Sequence, residues 1–150
     1  MSTTTRTEAI AEELQPLLAE LVNLHLDAKQ LHWNVKGRNF LPLHEQLDAL
    51  TATAHAAADE VAERLAALQI SPDGRASTVA AGANAGPLPT GFIAEATVLD
   101  LVVSRLQGIT SRCQEHIDHL GEVDLGSQGI VIGVLTGLEK HLWMFRSQQV

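Results

Sequence analysis

The chain has 150 residues, the length of one domain with a core large enough to need no disulfide staples. Its 10 Lys and Arg against 18 Asp and Glu give a formal net charge of −8, which argues against general affinity for a phosphate backbone and favours attraction of cations. A single cysteine, Cys113, excludes an internal disulfide framework and reads as core packing; with no apolar leader and no apolar run of membrane length, a cytoplasmic location is expected.

The composition is rich in Ala, Leu, Glu and Gln with few β-branched runs, which favours helix. Residues 1–8 read as a short flexible tail. A first helix is expected from about Glu8 to Lys36, where Leu14, Leu17, Leu18, Leu21, Leu24, Ala28, Leu31 and Val35 recur at helical spacing. Pro16 must sit in its first turn or kink a longer helix, and Gly37 is a C-terminal stop. A second helix is expected from Asn39, a plausible N-cap, to about Gln69, with Pro42 tolerated in the first turn. Ser71 to Gly74 form a turn. The Gly/Ala/Pro-rich stretch from Arg75 to Gly91 is too long for a tight turn, so it reads as a crossover, with room for a short helix. A third helix follows over about Phe92 to Leu120, then a turn region to Gly129 and a fourth helix from Ile130 to Gln148. The expected fold is all-α: one domain over residues 1–150, a four-helix bundle with a long crossover between helices 2 and 3, the ferritin-like connectivity.

The second helix carries a stripe of metal-binding residue types. His44 and Asp48 are four apart and share a face, as do Asp59 and Glu63. At 100° per residue the four fall within an arc of about 100°. Taken singly, each pair reads as a solvated surface pair. The spacing adds a constraint, because His44 and Asp59 are separated by about 22 Å of helix rise, too far to bind one metal ion. A second copy of the helix, antiparallel across a two-fold axis, places Asp59 and Glu63 of one chain opposite His44 and Asp48 of the other. The small residues Thr51 to Ala54 and Ala56 to Ala58 lie near that axis and permit close approach. One such interface makes two identical sites. His32, just before the turn at Gly37, returns toward His44 and completes a set of two imidazoles and three carboxylates. Such a set suits iron, and also zinc or manganese.

The run His32-Trp33-Asn34-Val35-Lys36-Gly37, then Phe40, His44 with Asp48, and Asp59 with Glu63 and Arg64, resembles the signature of the Dps family of mini-ferritins. Leu138 to Ser147 is similar to the family's last helix. The resemblance covers nearly the whole chain and shows no departure at the five ligand positions. It implies a hollow dodecamer of four-helix subunits. Its ferroxidase sites would take His32, His44 and Asp48 from one subunit and Asp59 and Glu63 from its neighbour. It further implies Fe(II) oxidation by hydrogen peroxide or oxygen, with a ferric mineral stored inside and protection against oxidative stress. Trp33 matches a family tryptophan beside the site, an electron donor or radical trap on that reading and a packed aromatic on the other. In the family, carboxylates before the last helix line three-fold pores, which would assign Asp118, Glu122 and Asp124; otherwise these form an ordinary charged turn.

His116 and His119, with Glu115 and Asp118 around them, form either a second metal site or a hydrated polar face. His25, His55 and His141 have no evident ligand set. DNA condensation is the alternative function in this family, usually through basic tails. Here the first eight residues hold one basic residue, Arg6, against Glu8, and only Ser147, Gln148, Gln149 and Val150 follow Arg146, so weak or no DNA binding is expected. Metal-assisted amide hydrolysis ranks lower, because no residue pattern supplies a substrate pocket.

Overall fold

The computed structural model describes residues 2–150. Four long helices are present: α1 (Thr3–Asn34), α2 (Phe40–Ala67), α4 (Glu95–Leu120) and α5 (Leu125–Arg146). A short α3 (Ala76–Ala81) lies within the crossover. Two dipeptide strands, β1 (Val35–Lys36) and β2 (Ile93–Ala94), pair in parallel with Val35 opposite Ile93. That pairing fixes the topology. It brings the C-terminal end of α1 beside the start of α4, so the segment after α2 must travel the full length of the bundle. The helices α1 and α2 form one antiparallel pair, α4 and α5 the other, and α1 packs on α4 as α2 packs on α5. This is the expected all-α bundle with its crossover and extra helix.

The leucine periodicity becomes the core. Leu14, Leu17, Leu21, Leu47, Leu50, Leu65, Leu106, Leu120, Leu138 and Phe145 are fully enclosed. Each such side chain contributes roughly 1.5–3 kcal/mol of transfer free energy, well above any helix-propensity difference, so packing holds these helices together. Cys113 is also enclosed, and burial pushes its thiol up to about 12.

Helix ends depart from expectation where tertiary contacts decide them. The helix α1 begins at Thr3, inside the stretch expected as a tail. Ser2 caps it by accepting from the Thr5 amide, and Arg6 reaches Asp124 at 2.6 Å and the Val123 carbonyl at 3.0 Å. Pro16 lies well inside this helix on its exposed side, so the missing amide leaves the Glu12 carbonyl to solvent. Both α1 and α4 are shorter than expected where Val35–Lys36 and Ile93–Ala94 turn extended and pair as strands. A β-carbon on Gly37 would overlap the Glu95 carboxylate, which accepts from the Asn39 amide at 2.8 Å. The helix α5 starts at Leu125 instead of Ile130, because Asp124 caps it through the Ser127 amide at 3.0 Å.

Candidate metal centre

The last turn of α1 and the first turns of α2 bring His32 and His44 together. Their rings stack with centroids 3.6 Å apart and planes 14° apart. Each ring is tied to the other residue's backbone: His32 Nδ1–H donates to the His44 carbonyl, and His44 Nδ1–H donates to the His32 carbonyl, both at 2.7 Å. A carbonyl can only accept, so Nδ1 carries a proton in each ring and Nε2 is the nitrogen through which each could bind a metal. The His32 carbonyl lies in the last turn of α1, where the helix leaves it without a partner, so the contact also caps the helix. His32 is buried, and Phe40 stacks on His44 at 4.9 Å, so both rings are held before any metal arrives.

Asp48, one turn after His44, is exposed and bound to Lys29 of α1 at 2.5 Å. The Lys29 ammonium, donating to this carboxylate, holds Asp48 below the usual carboxylate range, so it is ionised at neutral pH. Sequence reasoning missed Lys29. The signal was a lone cation three residues before His32 on the same helix.

Asp59 and Glu63 lie far along α2, exposed and outside every ion pair among the described residues. Among the described residues no three His, Cys, Asp or Glu side chains of a single chain are placed to hold one metal ion together. The chain therefore brings His32 and His44 together with Asp48 close by, and leaves Asp59 and Glu63 apart. Trp33 is 62% exposed, so it is not a packed aromatic within the chain. Leu26 is also exposed on α1, as is Leu41 at the start of α2.

The three carboxylates considered for a pore differ. Asp118 and Glu122 are exposed. Asp124 is only 6% exposed and fully engaged: it accepts from Arg6 and Arg64, each at 2.6 Å, and from the Ser127 hydroxyl at 2.5 Å. Burial pushes its carboxyl up, but the hydrogen bonds from Ser127 and Arg64 outweigh that and hold it down to about 2. Asp124 is thus a structural hub and offers no free carboxylate to a passing cation. A β-carbon on Gly126 would collide with the Arg64 guanidinium, so glycine there lets the hub close.

The remaining histidines separate by partner. His25 lies 3.3 Å from the Thr51 carbonyl, with its ring 5.1 Å from that of His55. His141 is buried and 2.9 Å from the Thr53 hydroxyl, and burial pushes its imidazole down, so it is neutral at pH 7. Both His116 and His119 face Glu13 of α1.

Comparison with known proteins places the fold. The profile of the ferritin-like domain family matches residues 11–150. The chain is 32% identical over 136 residues to DNA protection during starvation protein 2 of Deinococcus radiodurans, across 91% of this chain but only 56% of that protein, so it spans little more than half of that relative. It is 34% identical over 141 residues to the DNA protection during starvation protein of Mycolicibacterium smegmatis, across 92% of this chain and 75% of that protein. It superposes on the Dps of Microbacterium arborescens in the high iron form with a TM-score of 0.90 and 36% identity, over 95% of this chain and 93% of that one. Bundle, crossover and profile together define a ferritin-like protein. More narrowly, the relatives and the shared fold show that the chain belongs to the Dps family.

Proposed function

We propose that this chain oxidises and stores iron at centres shared between two copies. Each centre takes His32, His44 and Asp48 from one chain and Asp59 and Glu63 from a two-fold-related one. The observation that carries the reading is the reciprocal His32–His44 tie, which presents two Nε2 lone pairs side by side with a depressed carboxylate one turn away. Rings oriented by carbonyl acceptors are the usual support of a metal-binding imidazole. Two exposed carboxylates on the same helix, without ion-pair partners among the described residues, would complete the set from a second chain.

The donor set favours the reaction. Imidazoles keep Fe(II) bound, and carboxylates stabilise Fe(III). Two Fe(II) ions give up one electron each. Hydrogen peroxide accepts both as its O–O bond breaks and leaves as hydroxide or water after protonation; oxygen is the alternative oxidant. The ferric product is stored as mineral inside a closed oligomer, a dodecamer by family resemblance, limiting oxidative damage from free iron. Zinc or manganese would occupy the same donors.

Anaerobic Fe(II) addition followed by peroxide, monitored by ferric absorbance, tests the assignment. The protein should consume about one peroxide per two Fe(II), the electron balance of paired one-electron oxidations. A His32→Ala/His44→Ala variant that assembles normally and still oxidises Fe(II) at the unmodified rate would exclude these residues as the site.

Weak or no condensation of DNA is the accompanying expectation, supported by the net charge of −8. Six of the ten basic residues (Arg6, Lys29, Arg64, Arg75, Arg105 and Arg112) are in ion pairs with carboxylates.

A further inference from the structure

At the far end of the bundle from His32, the last two turns of α4 carry a second imidazole pair. His116 and His119 are three residues apart, so their side chains are neighbours on one helix face. Both turn Nδ1 to a single carboxylate on another helix: His116 lies 2.7 Å from Glu13 Oε2 and His119 3.0 Å from Glu13 Oε1. One carboxylate thus orients two rings. With Nδ1–H donating in each, both Nε2 atoms are left as lone-pair donors, and neither makes a hydrogen bond among the described residues. A carboxylate behind a metal-binding imidazole fixes its tautomer and raises its basicity.

We propose that His116 and His119 form a second divalent-cation site, with Glu13 as the positioning residue. The ligand is a transition-metal dication that prefers imidazole, of the zinc, nickel or copper class, with water in the open positions. The surroundings favour a cation. His119 is in the last turn of α4, where unpaired carbonyls carry the negative end of the helix dipole. Glu115, Asp118 and Glu122 are exposed around it. Arg112, one turn earlier, is drawn away to Glu20 at 2.6 Å. His116 is held with 13% of its side chain exposed and His119 with 66%, so one ring is fixed and the other is open to solvent. Two protein ligands make a labile capture site and not a structural one. The site lies within one chain and stands whether or not the His32 centre is shared.

Zinc titration of the assembled protein by calorimetry, in a His32→Ala/His44→Ala background, isolates it. One zinc per chain is expected, with zinc-edge X-ray absorption showing two imidazole nitrogens. Adding His116→Ala/His119→Ala should abolish that binding. Glu13→Gln should weaken it by about tenfold to a hundredfold, the usual effect of losing such a support. His119→Gln, at a largely exposed position, should lower the imidazole count to one if the double variant misfolds. Protonated histidines simply paired with Glu13 predict the opposite: no zinc in the background protein, or binding unchanged by the His116 and His119 substitutions. Either result overturns the proposal.

Discussion

Replacing Asp124 by Asn removes one charge and almost no volume. Asparagine still caps a helix, so the Ser127 amide keeps an acceptor, while the charge is lost together with the oxygen that accepts from Arg6. In the native protein that carboxylate sits at 6% exposure between Arg6 and Arg64 and is held down to about 2. Set against an ordinary value near 4 and about 1.4 kcal/mol per pH unit, this is worth roughly 2.5 kcal/mol at most. Half-open partners reduce it, so a loss of about 1–2 kcal/mol at pH 7 is expected. A depressed carboxyl stabilises the fold above its unfolded value, and that stability is lost as pH falls through the folded value. The difference between the native protein and Asp124→Asn should therefore be full above about pH 5 and shrink toward zero as pH falls from about 4 to 2. Urea unfolding followed by circular dichroism across that range measures it. Equal stability at pH 7, or a difference that persists at pH 2, would refute the hub. The consequence reaches the proposed centre, because Arg64 adjoins Glu63 and its tie to Asp124 fixes the end of α2 that carries Asp59 and Glu63.

Lys29→Ala frees Asp48 from its counter-ion, so the variant should bind Fe(II) or zinc more tightly by about two- to five-fold, the range for exposed ion pairs; unchanged or weaker binding in calorimetry would show that Lys29 does not compete with the metal. Plasmid DNA should migrate unretarded with the assembled protein at physiological ionic strength, and a clear gel shift would mean that the paired basic residues are redeployed on assembly.

Much of the fold was legible because apolar residues at helical spacing report a buried face directly. Leu14, Leu17, Leu21 and Leu31 recur at helical spacing, and they are enclosed. The ends were less legible. Residues 3–7 lack a strong periodic signal and are helical because Ser2 caps them and Arg6 finds Asp124, 118 positions away. Gly126 and Gly129 looked like a turn. Yet Asp124 with Ser127 three residues later was a cap signal, and Gly126 is small to admit Arg64. For the candidate centre, helix geometry made the stripe on α2 and the return of His32 toward His44 visible. The tautomers were not visible, since they depend on two carbonyls that only the folded turn brings into place. Nor was the Lys29–Asp48 pair or the meeting of Glu13 with His116 and His119, because non-local ion pairs leave no period in a sequence.

Mixed assembly tests the shared centre most directly. One variant, His32→Ala/His44→Ala, keeps Asp59 and Glu63; the other, Asp59→Asn/Glu63→Gln, keeps His32 and His44. Each alone should fail to oxidise Fe(II) at the centre. When the two are unfolded, mixed in equal amounts and reassembled, half of the two-fold pairs are heterogeneous, and each of those regains one complete centre out of two. The mixture should recover about one quarter of the native ferroxidase rate. A mixture that co-assembles, yet oxidises Fe(II) no faster than the mean of its two parents, would show that the centre is not built between chains.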